Sequence, residues 1–469
     1  MKRTKIICSI GPVSRNYDTM KSMIQNGMNV ARINFSHADE IEKRETIDLV
    51  RQLNKDLGSY VGILFDTKGP DFRTGVVEND GINLIDGNSI KIVKEDVIGN
   101  EERITINYKD AIDAIAVDNI ILLEDGLMKL LVTDKDAEGL TCKIITGGFL
   151  GSRKGINVPG VKLNMPFISE QDKEDIKYAC ENDGDFLALS FVSSKEDILE
   201  ARKIMAEYGN TTMKIISKIE SDTAIKNIDE IIENSDGIMV ARGDLGVEVP
   251  MQQLPVLQKM IVKKCREKGK FCIVATEMLA SMYKNPRPTR AEVTDIANAV
   301  LDGTDAVMLS GETTVGKFPV DAVKYMADIC ENTELYLDYE NGCEDCQKKD
   351  ITGTIARSVI DTANILDIKV IVAATMSGYT ARRISNLRPK SYIIAGCPTE
   401  KVALSLSLNW GIFPKIVPVY NTTDEVVEDS TKKAKEFANL KEGDLVVITG
   451  GFPNNAPNKS TNFLKIQEI

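Results

Sequence analysis

Residues 215–244 read IISKIESDTAIKNIDEIIENSDGIMVARGD, and they set the fold of the chain. Two apolar, β-branched runs, Ile215–Glu220 and Gly237–Arg242, flank a stretch of helical period. Each run stops at charged residues, Lys218 and Glu220 in the first case, Arg242 and Asp244 in the second. A parallel strand covered on both faces reads as such a run, and the segment between neighbours is a crossover helix. Working outward, the same signature recurs at Ile6–Ile10, Val30–Phe35, Val61–Asp66, Phe186–Phe191, Cys272–Thr276 and Ala306–Ser310. With the two opening runs this makes eight candidate strands. Helical stretches are expected between most of them, for example over Ala224–Ile232 and Leu254–Lys268.

Eight strands alternating with helices predict a (β/α)8 barrel, whose active site gathers at the C-terminal ends of the strands. Asp66, Lys218, Glu220, Arg242, Asp244, Thr276 and Glu312 are all expected at that mouth. Between the third and fourth strands, residues 70–166 carry short alternating runs (Ser89–Val93, Ile120–Leu123, Lys129–Val132, Thr141–Ile145) separated by Gly, Asn and Asp. They predict an inserted small β-barrel domain beside the mouth, placed to act as a lid. The expected organisation is a barrel over 1–69 and 167–337, the insert over 70–166, and a C-terminal α/β domain over 338–469.

The chain has 469 residues, 43 % apolar and 27 % charged, enough for several packed domains. A net charge of −12 disfavours nucleic acid and anionic membranes as partners. No apolar run is long enough for a membrane span or a signal segment. Nine cysteines are scattered singly except Cys343 and Cys346, a pair with no second pair or histidine nearby to make a zinc site. Reduced thiols in a cytoplasmic protein are the expectation.

Lys218 and Glu220 end one strand and Asp244 follows the next. Two carboxylates on neighbouring strand ends suit Mg²⁺ (or Mn²⁺) when substrate oxygens complete the shell. A lysine beside them suits a phosphoryl group or an enolate. Gly243 allows close backbone approach, and the turn after it offers free N–H groups to an anion. Nearer the N-terminus, Arg32, Asn34 and Ser36 alternate along a strand and so are expected on one face, with Asp66 and Thr67 ending the next. This oxygen set suits a hard or monovalent cation, and Arg32 supplies a fork for phosphate. His37, the one histidine, has no partner that would make it a base, and reads as a loop or nucleotide-contact residue. Residues 311–317 imitate a phosphate-binding loop, but Phe318 stands where the Ser or Thr belongs. Residues 147–151 lack the spacing of a dinucleotide fingerprint.

These residues carry a resemblance. Thr4–Pro12 (TKIICSIGP), Gly27–His37 (GMNVARINFSH), Asp66–Pro70 (DTKGP), Ile216–Glu220 (ISKIE), Asp236–Gly246 (DGIMVARGDLG), Pro288–Glu292 (PTRAE), Asn298–Gly303 (NAVLDG) and Met308–Thr313 (MLSGET) resemble the pyruvate kinases along essentially the whole chain. The length resembles the basic three-domain form without an extra C-terminal domain. The resemblance implies phosphoryl transfer from phosphoenolpyruvate to ADP, giving pyruvate and ATP. It assigns Arg32 to the substrate phosphate, Asn34, Ser36, Asp66 and Thr67 to K⁺, and Asn34, His37, Arg73 and Lys154 to the nucleotide. Lys218 would stabilise the transferring phosphoryl and the enolate, and Glu220 and Asp244 would hold Mg²⁺. Gly243, Asp244 and Thr276 would hold the carboxyl end, with Thr276 near the carbon that is protonated. An acid at position 71, here Asp71, resembles the K⁺-dependent class.

The chain departs from the family at Glu277, a usual glutamine position, and at Phe191–Ser194, which lacks an arginine. Thr375, Ser377, Gly378 and Thr380 resemble an effector-phosphate loop, although Tyr379 often has arginine as its counterpart, and the final loop over 450–462 is less glycine-rich than in sugar-bisphosphate-activated members. A phosphorylated allosteric effector is therefore expected without an identity, and the resemblance favours a homotetramer. Two rivals remain open at this point. One is a metal-dependent C–C lyase on the same barrel, which would have no nucleotide for Lys154 and the insert to cover. The other is a catalytically silent metabolite sensor, which would be expected to lose Lys218, Glu220 or Asp244.

Overall fold

The computed structural model describes residues 1–70, 72–161, 163, 165–339, 350–452 and 461–469. Eight parallel strands close into a barrel in chain order, Lys5–Ser9, Val30–Asn34, Gly62–Asp66, Phe186–Leu189, Lys214–Ile219, Gly237–Ala241, Phe271–Ala275 and Ala306–Leu309. The first strand seals against the last, with Ile6 opposite Val307. Each lies within two residues of the run expected for it.

Alternation along the strands builds two cores. Ile7, Leu64, Ile216, Met239, Ile273 and Met308 point inward and fill the barrel, and Leu408 of the C-terminal domain joins this inner cluster. Their neighbours Ile6, Ile63, Ile215, Ile238, Cys272 and Val307 point outward under the helices. Residues buried on both faces explain why these strands read as unbroken apolar runs. The helix Leu254–Lys268 forms as expected and ends on Gly269 in the left-handed region. The helical stretch expected over Ala224–Ile232 is instead two helices, Asp222–Lys226 and Ile228–Asn234, because Asn227 leaves helical geometry and caps the first.

The insert is a β domain with its own core, including Ile92, Ile121, Leu130 and Ile144. It was expected as a small barrel. Its strands hydrogen-bond as a six-stranded mixed sheet and a separate two-stranded sheet. The C-terminal domain has a five-stranded sheet, parallel except for its last strand Phe463–Glu468. Arg388 joins this domain to the barrel: it donates to Asp305 Oδ1 (3.0 Å) and the carbonyl of Gly303 (2.8 Å), and stacks over Trp410. No helix among the described residues is long and apolar enough to cross a membrane. The seven described cysteines are buried and in no disulfide. Cys343 and Cys346 lie outside the described residues, as do Asp71 and positions 453–460 of the final loop.

Candidate active site at the barrel mouth

Parallel register brings the third strand's end level with its neighbours: Asp66 stands opposite Asn34 on one side and Ala188 on the other. Asp66 is buried, and its two oxygens serve different cations. Arg32 Nε donates to Oδ2 at 2.7 Å, and Lys218 Nζ lies 3.4 Å from Oδ1. Burial opposes ionisation of Asp66, yet Lys218 and Arg32 together hold its carboxyl below the usual range. Lys218 also lies 2.9 Å from Glu220 Oε1 and donates to Ser190 Oγ at 2.7 Å. Burial pulls its ammonium down, and the charges of Asp66 and Glu220 more than offset this, so it stays protonated.

Glu220 is equally buried. Its Oε2 accepts from the Phe191 amide at 2.6 Å. Burial, with a further push from the Asp244 charge, raises this carboxyl to about 7. The Lys218 ammonium pulls this carboxyl back down without offsetting its burial. Among the described residues no three His, Cys, Asp or Glu gather into a metal cluster. Two carboxylates, Glu220 and Asp244, are oxygen donors of the kind Mg²⁺ takes when substrate oxygens and water complete its shell.

On the next two strands, Thr276 Oγ1 accepts from the Gly243 amide at 2.8 Å and donates to the carbonyl of Ala275. Thr276 and Glu277 both sit at positive φ (71° and 55°), and Phe191 does the same at the end of the fourth strand (57°). Strained backbone at a β-branched residue persists where surroundings dictate it, commonly at functional sites.

The barrel and C-terminal α/β models of the pyruvate kinases match residues 1–323 and 353–467. The chain belongs to the pyruvate kinase family. A pyruvate kinase of Geobacillus stearothermophilus is 45 % identical over all of this chain and 80 % of its own length. One from Clostridium acetobutylicum is 42 % identical with both chains covered in full. The crystal structure of a pyruvate kinase from Cryptosporidium parvum superposes with a TM-score of 0.95 at 37 % identity, covering all of this chain and 96 % of the other.

Of the residues that the pyruvate kinase resemblance singled out, the fold joins Arg32, Asp66, Lys218 and Glu220 by direct contacts, and Gly243 to Thr276. Thr67 is buried beside them, its carbonyl accepting from Ser190 Oγ. The expected alternation of Arg32, Asn34 and Ser36 stops at Asn34. The strand ends there, so exposed Ser36 and His37 lie on the following turn, and Asn34 Oδ1 accepts from the Ser36 amide. Two residues expected at the mouth are committed to structure. Arg242 pairs with Asp295 at 2.6 Å and donates to the carbonyl of Thr276, and buried Glu312 accepts from the amides of Leu279 and Ser310. Ser9 and Ser190, which anchor Arg32 and Lys218, escaped the sequence reading because a serine closing an apolar run looks like an ordinary strand stop.

Lys154 and Arg73 lie on paired segments of the insert, where Arg73 donates to the carbonyl of Arg153 and Lys154 Nζ meets Glu124 Oε1 at 2.5 Å. A cleft of about 750 Å³ separates the insert from the barrel, with Asp125 and Gly126 facing Arg242, Gly243, Asp244 and Glu277. In the C-terminal domain, Thr375, Ser377 and Thr380 line a cavity of about 330 Å³ with Tyr379, Tyr420 and Phe452. Gly378, at φ 79°, caps the adjoining helix Tyr379–Asn386, and the Thr380 hydroxyl bonds that of Thr461 at 2.8 Å.

Proposed function

We propose that the protein transfers the phosphoryl group of phosphoenolpyruvate to ADP, giving pyruvate and ATP, at the mouth formed by Arg32, Lys218, Glu220, Gly243, Asp244 and Thr276. The observation that carries this reading is the buried ammonium of Lys218 held between Asp66 and Glu220, one strand from the Gly243–Thr276 pair. Such a fixed cation serves a reaction in which negative charge moves from a phosphoryl group onto an enolate.

Arg32, held by Asp66 through Nε and by Ser9 through Nη1, is assigned to the substrate phosphate. The Gly243 amide, Asp244 and Thr276 hold the carboxyl end. As the P–O bond to the enol oxygen breaks and a bond to the β-phosphate oxygen of ADP forms, Lys218 neutralises the enolate left behind. That enolate then takes a proton from water at its methylene carbon on the Thr276 side, giving pyruvate. Glu220 and Asp244 are the residues that would hold Mg²⁺ (or Mn²⁺), which supplies charge neutralisation on the phosphoryl oxygens. Asn34, Ser36, Asp66 and Thr67 are assigned to K⁺, and Asn34, His37, Arg73 and Lys154 to the nucleotide. The insert, taken as 70–166, acts as the lid that excludes water, between barrel segments 1–69 and 167–337. The domain over 338–469 is assigned a regulatory role, with Thr375, Ser377, Gly378 and Thr380 receiving a phosphorylated effector. A cytoplasmic homotetramer completes the reading.

The test is an incubation with phosphoenolpyruvate, ADP and Mg²⁺, with and without K⁺, following pyruvate and ATP together. Both products should appear, and only with K⁺. Full turnover without K⁺ removes the cation assignment and keeps the reaction. No product under any condition, with phosphorylated effectors added, overturns the reaction and favours the sensor.

A further inference from the structure

The insert touches the barrel through a polar contact that has no role in the chemistry just described. Asn157 Nδ2 donates to Glu248 Oε1 at 2.9 Å. Asn157 belongs to the short strand Ile156–Asn157, paired with Leu122–Leu123 of the insert. Its neighbours Ile156 and Val158 are buried in the insert's core. Alternation therefore turns Asn157 outward, to the barrel side. Glu248 is the last residue of the helix Arg242–Glu248, whose first turn carries Gly243 and Asp244. One residue earlier on the same helix, Val247 faces Gly126 at the tip of the insert's hairpin, its Cγ1 3.5 Å from where a Cβ on Gly126 would stand.

The placement links two halves of the site. Lys154 is three residues before Asn157 on one stretch of the insert, tied down by hydrogen bonds from Thr74 to the Lys154 carbonyl, from Glu124 to the Gly155 carbonyl and from Ile156 to the Phe72 carbonyl. Asp244 is four residues before Glu248 on one helix. The Asn157–Glu248 hydrogen bond therefore connects the stretch carrying Lys154 to the helix carrying Asp244.

We propose that Asn157 and Glu248 are positioning residues that latch the lid onto the helix carrying Gly243 and Asp244, fixing the nucleotide half of the site against the phosphoenolpyruvate half. The proposal rests on the function above. Geometry of this kind is worth much in rate, since a misplacement of about 1 Å between reacting groups costs on the order of 100-fold.

The test uses Asn157→Asp, Glu248→Gln and the two together in the full chain. Asn157→Asp sets two carboxylates face to face, whereas the double variant rebuilds the bond in reverse, with glutamine donating to aspartate. Asn157→Asp should raise the KM for ADP about 10-fold and lower kcat by about 10- to 100-fold, with calorimetric binding of phosphoenolpyruvate unchanged. The double variant should recover most of both. Hydrogen exchange of residues 153–158 without substrates gives a readout independent of turnover. It should quicken in Asn157→Asp and slow again in the double variant. Unchanged exchange and KM in Asn157→Asp, or a loss the double variant does not restore, overturns the latch. A wild-type protein that makes no ATP overturns the functional reading instead, and the exchange result still decides the latch.

Discussion

Arg32 and Lys218 share one carboxylate: Nε of the first is 2.7 Å from Asp66 Oδ2, and Nζ of the second is 3.4 Å from Oδ1. Both cations are largely buried and Asp66 almost wholly so. Removing one charge from such a cluster leaves the others uncompensated, which costs about 3–5 kcal/mol. Asp66→Asn should therefore lower the barrel's unfolding free energy by that order, as well as its activity. Denaturant unfolding followed by circular dichroism checks it, and a wild-type midpoint would show that the cluster is not held by Asp66.

Buried charge of a different kind lies at the base of the barrel. Asp185 accepts from the Ile63 amide at 2.9 Å, and Lys401 Nζ is 3.8 Å from its other oxygen. Burial raises its carboxyl from 3.8 to about 6. The folded protein thus binds this proton more tightly than the unfolded chain does. The stability it contributes is complete below pH 3.8 and is lost as pH rises through about 6. Asp185→Asn keeps an acceptor for Ile63 without the titration. The difference in unfolding free energy between variant and wild type should shift in the variant's favour across this window and level off above it. A difference that stays flat from pH 3.8 to 6 would contradict the assignment.

Strain at Thr276 separates stability from activity. A β-branched residue at φ 71° stores about 1–3 kcal/mol that glycine would release. Thr276→Gly should unfold at the wild-type midpoint or above it. It should also lose at least about 10-fold in kcat/KM for phosphoenolpyruvate, because the hydroxyl that fixes the Gly243 amide is gone. Lower stability with unchanged kinetics would reverse this account.

The interdomain pair Arg388–Asp305 is the fourth case. Asp305 also accepts from the Cys272 amide on the seventh strand and from the Trp410 amide. Arg388→Met leaves that carboxylate buried without its cation, and about 3–5 kcal/mol should be lost where the C-terminal domain meets the barrel. Calorimetric unfolding should show this as an earlier or split transition, and a single transition at the wild-type temperature would count against it.

The fold was legible because each parallel strand, as at Ile215–Ile219, is buried on both faces and writes its position as an apolar run with polar residues at its end. Position at a strand end does not say what a side chain bonds. Arg242 and Glu312 read like Lys218 and Glu220, yet one holds Asp295 and a backbone carbonyl, and the other caps two amides. Ser36 continued the alternation on paper, but the chain turns after Asn34. Asn157 and Glu248 stand 91 residues apart in different domains, so no local pattern could pair them.

In the proposed reaction, the buried Lys218 ammonium between Asp66 and Glu220 stabilises the charge that moves as the phosphoryl group passes between the two substrates. Phosphorus NMR of phosphoenolpyruvate with ADP, Mg²⁺ and K⁺ follows this transfer in the wild type and in Lys218→Met. The phosphoenolpyruvate signal should be replaced one for one by the γ-phosphate of ATP in the wild type, and at least about 100-fold more slowly in a folded Lys218→Met. Inorganic phosphate in place of ATP, or a wild-type rate in the variant, would contradict it.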